Sequence, residues 1–382
     1  MNRASAALLL GASSMFANMY ATQAILPEIG RELNASAAVT GLSITVVVAG
    51  VALGAWVHGP LSDRIGRWRV MVTSATLIVV PTALLGLAPN LPVLLALRAV
   101  QGLLMPGLLV VAVPYIMERF DGPRQGAAMG AYTSSLVFGG FVGRVGTAVA
   151  ADVVGWRLAL ASLAVPTLAG ALMMRAWLPA DRPGQHVRRS LRGVVAEHAR
   201  NRLVLTNAVC AGATFFGFVG IFTYATYKLT APPIDLSLSE AGLVYGVWLV
   251  GAFVTPVTRL GGTIGPQRLL PALVAVSLCG ALLTLVDALP AIVLGLALMA
   301  FAMFTVVPVC QLLIPRLVSH HRGTATSLHL TVYYAAGALG AYVPGLVLHR
   351  GWPSLVAVCC AAILAGLAAA VTLSRSTTLR AR

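Results

Sequence analysis

Gly59-Pro-Leu-Ser-Asp63-Arg64-Ile-Gly66-Arg67-Trp-Arg69 is a short polar stretch lodged between two apolar runs, 40–58 and 70–88. Gly59 and Gly66 permit a tight turn and a close helix approach. Asp63 can accept hydrogen bonds from backbone N–H groups at a helix start and can pair with arginine. Arg64, Arg67 and Arg69 would hold the loop on the inner side of a membrane. A plain basic reverse turn would use similar residues. The spacing, the depth and the position after the second apolar run argue against that plain turn.

Working outward, the rest of the 382-residue chain is of the same kind. It is 58% hydrophobic and 10% charged, against about 25% charged in soluble domains. Such a chain cannot keep a wettable surface, so most of it must face lipid or other helices. Its 38 glycines and 21 prolines are spread through long apolar runs, as suits membrane helices. A crossing needs roughly 20 apolar residues. The spans fall near 5–26, 40–58, 70–88, 92–115, 126–150, 156–178, 203–227, 239–259, 269–286, 291–314, 323–348 and 352–373. Twelve crossings leave no room for a sizeable soluble domain. The first run, from about Ala6, reads as a full span without a small-residue cleavage site, so no cleavable signal peptide is expected.

The arginines give the orientation. With the N-terminus inside, inner segments hold Arg3, Arg64, Arg67, Arg69, Arg119, Arg124, Arg175, Arg182, Arg188, Arg189, Arg192, Arg200, Arg202, Arg259, Arg268, Arg316, Arg322, Arg375, Arg380 and Arg382. Outer loops hold Arg31, Arg157, Lys228 and Arg350, and Arg98 and Arg144 lie inside spans, which completes the 26 basic residues. A wrong span count would scramble this asymmetry. A multi-pass protein of the cell inner membrane with both termini cytoplasmic is expected. The net charge of +15 sits in short inter-span loops, which excludes a nucleic-acid surface as its explanation.

The chain also repeats. Gln125-Gly126 before span 5 matches Arg322-Gly323 before span 11. Gly140 and Gly143 follow the first glycine by 14 and 17 residues, and Gly337 and Gly340 follow the second by the same intervals. Both spans end in Gly-Trp, Gly155-Trp156 and Gly351-Trp352. The fold class is therefore an all-α membrane protein of twelve transmembrane helices in two pseudo-symmetric six-helix bundles, 1–178 and 203–382, joined by a cytoplasmic linker at 179–202. Parallel repeats of this kind place a substrate site between the halves near midplane.

The loop at 59–69 resembles the hallmark loop of the major facilitator superfamily, with its Gly, Asp, Arg, Gly, Arg pattern. The resemblance implies a latch that steadies the outward-facing state. The corresponding loop of the second half, Arg259-Leu-Gly261-Gly-Thr-Ile-Gly265-Pro-Gln-Arg268, lacks the acidic residue. Arg98-Ala-Val-Gln101-Gly102 in span 4 is similar to the family's second motif, with Arg98 and Gln101 on one helical face. Three segments resemble the acriflavine-sensitivity group of drug-efflux proteins: Phe215–Tyr224, Ala231–Ser237 and Ser327–Tyr334. That resemblance spans nearly the whole chain and implies efflux. Drug–proton antiporters typically carry Gly-Pro in span 5, and here Gly143 is followed by Arg144.

Charges at membrane depth cost roughly 2.5–3.5 kcal/mol and mark functional candidates. Arg98 lies about six residues in from the outer end of span 4, and Arg144 about six before the outer end of span 5. At 1.5 Å per residue the two share a level in the first half, which Asn18 and Thr22 approach from span 1. Together they could form a positive patch that attracts an anionic group or tunes a carboxylate. The structural alternative has each arginine bonded to backbone carbonyls or to a carboxylate such as Glu28 or Asp152. All 11 acidic residues lie at span ends or in loops. Glu28 and His329 are the candidates for carrying a coupled proton, the latter because imidazole titrates near neutral pH. A packing role for His329 is the alternative.

In the second half, His329 and Tyr333 are i, i+4, and Tyr245 and Trp248 are i, i+3. Phe215, Tyr224 and Gln311 could join them in an aromatic-lined cavity suited to amphipathic organic substrates. Helix packing would use the same residues, and Tyr224 and Tyr227 also fit an interfacial aromatic belt. The five cysteines lie in apolar runs and read as small hydrophobes. Phosphate-binding loops, metal-ligand spacings and catalytic signatures are absent from the sequence, so no cofactor, no metal and no enzyme activity is expected. The expectation is a secondary-active transporter working by alternating access, acting as a monomer in the lipid bilayer. Its task would be proton-coupled export of a small amphipathic organic compound or drug. The alternative is import or exchange of small organic anions.

Overall fold

The computed structural model describes residues 3–180, 201–253, 265–318 and 322–376. Most of the expected linker, and most of the second-half loop at 259–268, lie outside them.

Among the described residues every regular element is helical, in twelve segments that follow the expected spans. Helix α1 runs Arg3–Tyr20 and continues through a 3-10 turn, Ala21–Ile25, into Leu26–Glu32. Then come α2 (Ala37–Ile65), α3 (Arg67–Leu87) and α4 (Leu91–Arg119). Helices α5 and α6 form one run, Gly122–Trp177, broken at Gly155. The second half holds α7 (Arg202–Leu229), α8 (Leu238–Phe253), α9 (Pro266–Leu283) and α10 (Leu289–Leu317). It ends with α11 (Arg322–Tyr342, extended by the 3-10 segment Val343–Arg350) and α12 (Trp352–Arg375). Apolar length sets these helices, because a crossing backbone must satisfy its own hydrogen bonds.

The breaks repeat as the sequence does. Gly155 has φ 79° at the α5–α6 break, and Gly351 has φ 100° before α12. Both positions need the left-handed region that glycine enters without strain. Each following tryptophan donates its indole N–H to the rim of its own half. Trp156 bonds Glu32 Oε2 at 2.5 Å, and Trp352 bonds the Thr284 carbonyl at 2.9 Å. The close approaches repeat too. A Cβ on Gly143 would run into the Ala17 backbone of α1, and one on Gly340 into the Phe216 backbone of α7. Small residues let these backbones meet, which is the main source of helix association in lipid.

The chain forms two compact units. One holds α1–α6 together with Asp235–Gly246, the start of α8. Its core includes Ala17, Ile25, Ile29, Leu85, Leu94, Trp156 and Leu160. There α8 begins with a capping box, Ser237 and Glu240, and Ser239 donates to Asp152 at 2.6 Å. The other unit holds α7, the remainder of α8 and α9–α12. One of its buried clusters joins Val204, Ile314, Val318 and Ala325.

Candidate functional site

The α-helix of α1 gives way at Tyr20, where φ is −112° and ψ 0°. A helix that stops leaves its last carbonyls without N–H partners. Arg98, fully buried on α4, supplies the missing donors. Its Nη1 bonds the Asn18 carbonyl at 2.6 Å and its Nη2 the Met19 carbonyl at 2.8 Å. Its Nε reaches the Ser43 carbonyl of α2 at 3.1 Å, and Nη1 also meets Gln101 Oε1 at 2.9 Å. Gln101 passes the network on, donating to Thr82 at 2.8 Å and to Asn18 Oδ1 at 3.1 Å. Asn18 in turn donates to Thr167 of α6 at 2.9 Å. The whole knot is buried and ties α1, α2, α3, α4 and α6 together. Arg98 thus bonds the backbone carbonyls at the broken end of α1.

Arg144, also fully buried, is placed differently. Its guanidinium lies 4.1 Å from the ring centroid of Tyr20 and 5.7 Å from that of Tyr245. Nε donates to Gln23 Oε1 at 2.8 Å and Nη1 to the Gly140 carbonyl at 2.8 Å. These four groups are neutral and orient the cation. Two aromatic faces beside a guanidinium give cation–π stabilisation and the kind of walls that a flat organic group packs against. Sequence reading did not single out Tyr20, the last residue of the α-helix, or Gln23, in the 3-10 turn that follows it. Tyr245 lies in the first unit and belongs to this cage.

In the second unit, Phe215 stacks on Tyr333 with centroids 4.0 Å apart and planes 9° apart. Phe218 stacks on Phe222 at 4.2 Å and lies 5.5 Å from Trp248, which meets Phe304 edge-on at 5.0 Å. The structure thus brings Phe215, Trp248 and Tyr333 into one aromatic group, and adds Phe218, Phe222 and Phe304. Gln311 is exposed on α10. Tyr224, expected in an interfacial belt, is instead fully buried, and its hydroxyl donates to the Ala341 carbonyl at 2.7 Å.

His329 is fully buried on α11, with Nδ1 3.5 Å from Asn207 Nδ2 of α7. Glu28 sits at the rim in an ion pair with the largely exposed Arg31 at 2.6 Å. In the loop at 59–69, Gly66 has φ 100° and begins α3. Arg67 lies 3.5 Å from Asp63 but 2.6 Å from Glu118 at the end of α4. Glu118 was missed, since nothing in local spacing links α4 to that loop. Gly59 and Arg64 have open surroundings. No group of three or more potential metal ligands occurs among the described residues.

A fold of repeated membrane-length helices with a buried polar knot and an ion cluster in the loop at 59–69 is that of a multi-pass membrane protein. The Major Facilitator Superfamily model matches residues 8–341, and the chain belongs to that superfamily. It is 27% identical over 335 residues to an uncharacterised transporter of this type, YybF of Bacillus subtilis, covering 87% of this chain and 83% of the relative. It is 33% identical over 258 residues to the inner membrane transport protein YnfM of Escherichia coli, covering 66% and 62%. Among solved structures, a bacterial homologue of the human lysosomal transporter Spinster matches with TM-score 0.72 at 16% identity, over 97% and 93% of the chains. The nucleoside transporter NupG matches with TM-score 0.78 at 10% identity, over 97% and 99%. At these identities the solved structures speak for the fold alone.

Proposed function

We propose that this superfamily member is a secondary-active transporter of the cytoplasmic membrane whose substrate is a small organic compound carrying an anionic group, with both termini inside. The observation that carries the reading is Arg144, a buried guanidinium oriented by Gln23 and Gly140 between the rings of Tyr20 and Tyr245. A carboxylate would meet the charge and an attached ring would meet the tyrosines. Arg98 acts beside it as a positioning residue, through the α1 break. The exchange or import of organic anions fits this site directly.

Proton-coupled export of an amphipathic compound is the second reading. It is favoured by the stacked group around Phe215, Tyr333 and Trp248 and by the resemblance to the acriflavine-sensitivity group.

The test is a thermal-shift panel of small aromatic acids, each paired with its neutral amide. Acids should stabilise the protein and amides should not. Arg144→Gln should weaken acid binding about tenfold or more, the scale of a lost charged hydrogen bond. Equal responses to acids and amides would reject the anionic substrate in favour of the second reading.

A further inference from the structure

Thr147 stands one turn beyond Arg144 on α5, and the residue is only 1% exposed. Its hydroxyl has no hydrogen-bond partner among the described residues. A threonine inside a helix commonly returns its hydroxyl to the carbonyl four residues back. Thr133 on the same helix does so to Met129 at 2.9 Å, Thr167 to Leu163 at 2.6 Å and Thr214 to Cys210 at 2.8 Å. Thr147 makes no such bond to the Gly143 carbonyl. Buried polar atoms are nearly always satisfied, and an exception calls for a reason.

The surroundings supply one. Gly143 and Ala151 lie one turn before and one turn after Thr147 on the same face of α5. Gly143 packs on the Ala17 backbone, and Ala151 packs in the cluster that holds Ala21 and Ile25. Thr147 therefore faces the 3-10 turn Ala21–Ile25, which also carries Gln23, the acceptor of Arg144 Nε. Residues three apart on a helix have Cβ atoms about 5–6 Å from each other. A hydroxyl and a guanidinium are thus two buried donors on adjacent turns along one seam.

We propose that Thr147 is a second anchor for the anionic group, with one carboxylate oxygen on the Arg144 guanidinium and the other accepting from the Thr147 hydroxyl. The inference rests on the anion site of the proposed function and adds a requirement to it. A guanidinium alone attracts any negative charge. A guanidinium and a hydroxyl at a set separation select a planar anion with two acceptor oxygens. A buried hydroxyl without a partner destabilises the folded protein, and the bound anion removes that cost.

The test compares Thr147→Val, which keeps the side-chain shape and removes the hydroxyl, with Thr147→Ser, which keeps the hydroxyl. Full-length protein is titrated calorimetrically with the aromatic acid that stabilises wild type most and with its amide, and is melted without either. Thr147→Val is expected to melt at or above the wild-type temperature, to bind the acid about tenfold more weakly and to show no change toward the amide. Thr147→Ser is expected to bind the acid nearly as wild type does. Acid binding that Arg144→Gln weakens and Thr147→Val leaves unchanged would overturn this inference while the anion site stands. A Thr147→Val protein that melts well below wild type would overturn it too, because the hydroxyl would then have a structural partner. Failure of wild type to bind any of the acids would overturn the anion site and the second anchor together.

Discussion

Arg98 and Arg144 are both fully buried in the first unit, and their surroundings differ. Arg98 holds the carbonyls that the end of α1 leaves open. Each buried acceptor left without a donor costs about 1–3 kcal/mol. Arg98→Leu should therefore lower the melting temperature of the purified protein sharply and abolish binding of acids and neutral analogues alike. Arg144→Gln should leave the melting temperature of the ligand-free protein much closer to wild type. The check is a thermal melt of both variants without ligand; a stable Arg98→Leu would remove the positioning role. Sequence reading found both arginines from the cost of a charge in a span. It could not divide their roles, because the division depends on a 3-10 turn at Ala21–Ile25 that apolar composition does not announce. Tyr20 and Gln23 were missed for the same reason.

At the scale of the element, the spans were legible because lipid imposes one simple demand on length and polarity. Their interruptions were less so. The breaks at Gly155 and Gly351 could be read from the Gly-Trp repeats, whereas the 3-10 segments Tyr245–Phe253 and Val343–Arg350 follow from tertiary packing. The glycines at repeat positions earn their place by closeness of approach. Gly143→Val must push the Ala17 backbone away, and Gly340→Val the Phe216 backbone. Both variants should fail to yield folded protein in detergent. Gly59→Ala, which meets nothing within 4 Å, should behave as wild type. Size-exclusion profiles after membrane extraction read this directly; a monodisperse Gly143→Val would mean that α1 and α5 are not held by that contact. The loop at 59–69 could be read from the sequence as a polar turn, and the positive φ of Gly66 and the Arg67–Asp63 contact lie within it. Its partner Glu118 could not be read, being brought there by the far end of α4.

For the molecule as a whole, the duplication visible in glycine spacing returns as duplicated geometry. The positive-φ glycines at 66 and 265, and at 155 and 351, punctuate the two halves at matching places, and each half anchors a tryptophan at its rim. The superfamily assignment rests on this repeat and on the match over residues 8–341. Substrate chemistry was legible only as a pair of alternatives, because it depends on which neutral side chains surround one guanidinium. The most direct measurement is exchange in proteoliposomes: radiolabelled acid outside, unlabelled acid inside, using the aromatic acid that stabilises the protein most. The expected result is label uptake by wild type that Arg144→Gln reduces about tenfold or more, with no uptake of the matching amide. Uptake of acid and amide at equal rates, unchanged by Arg144→Gln, would contradict an anion site at Arg144.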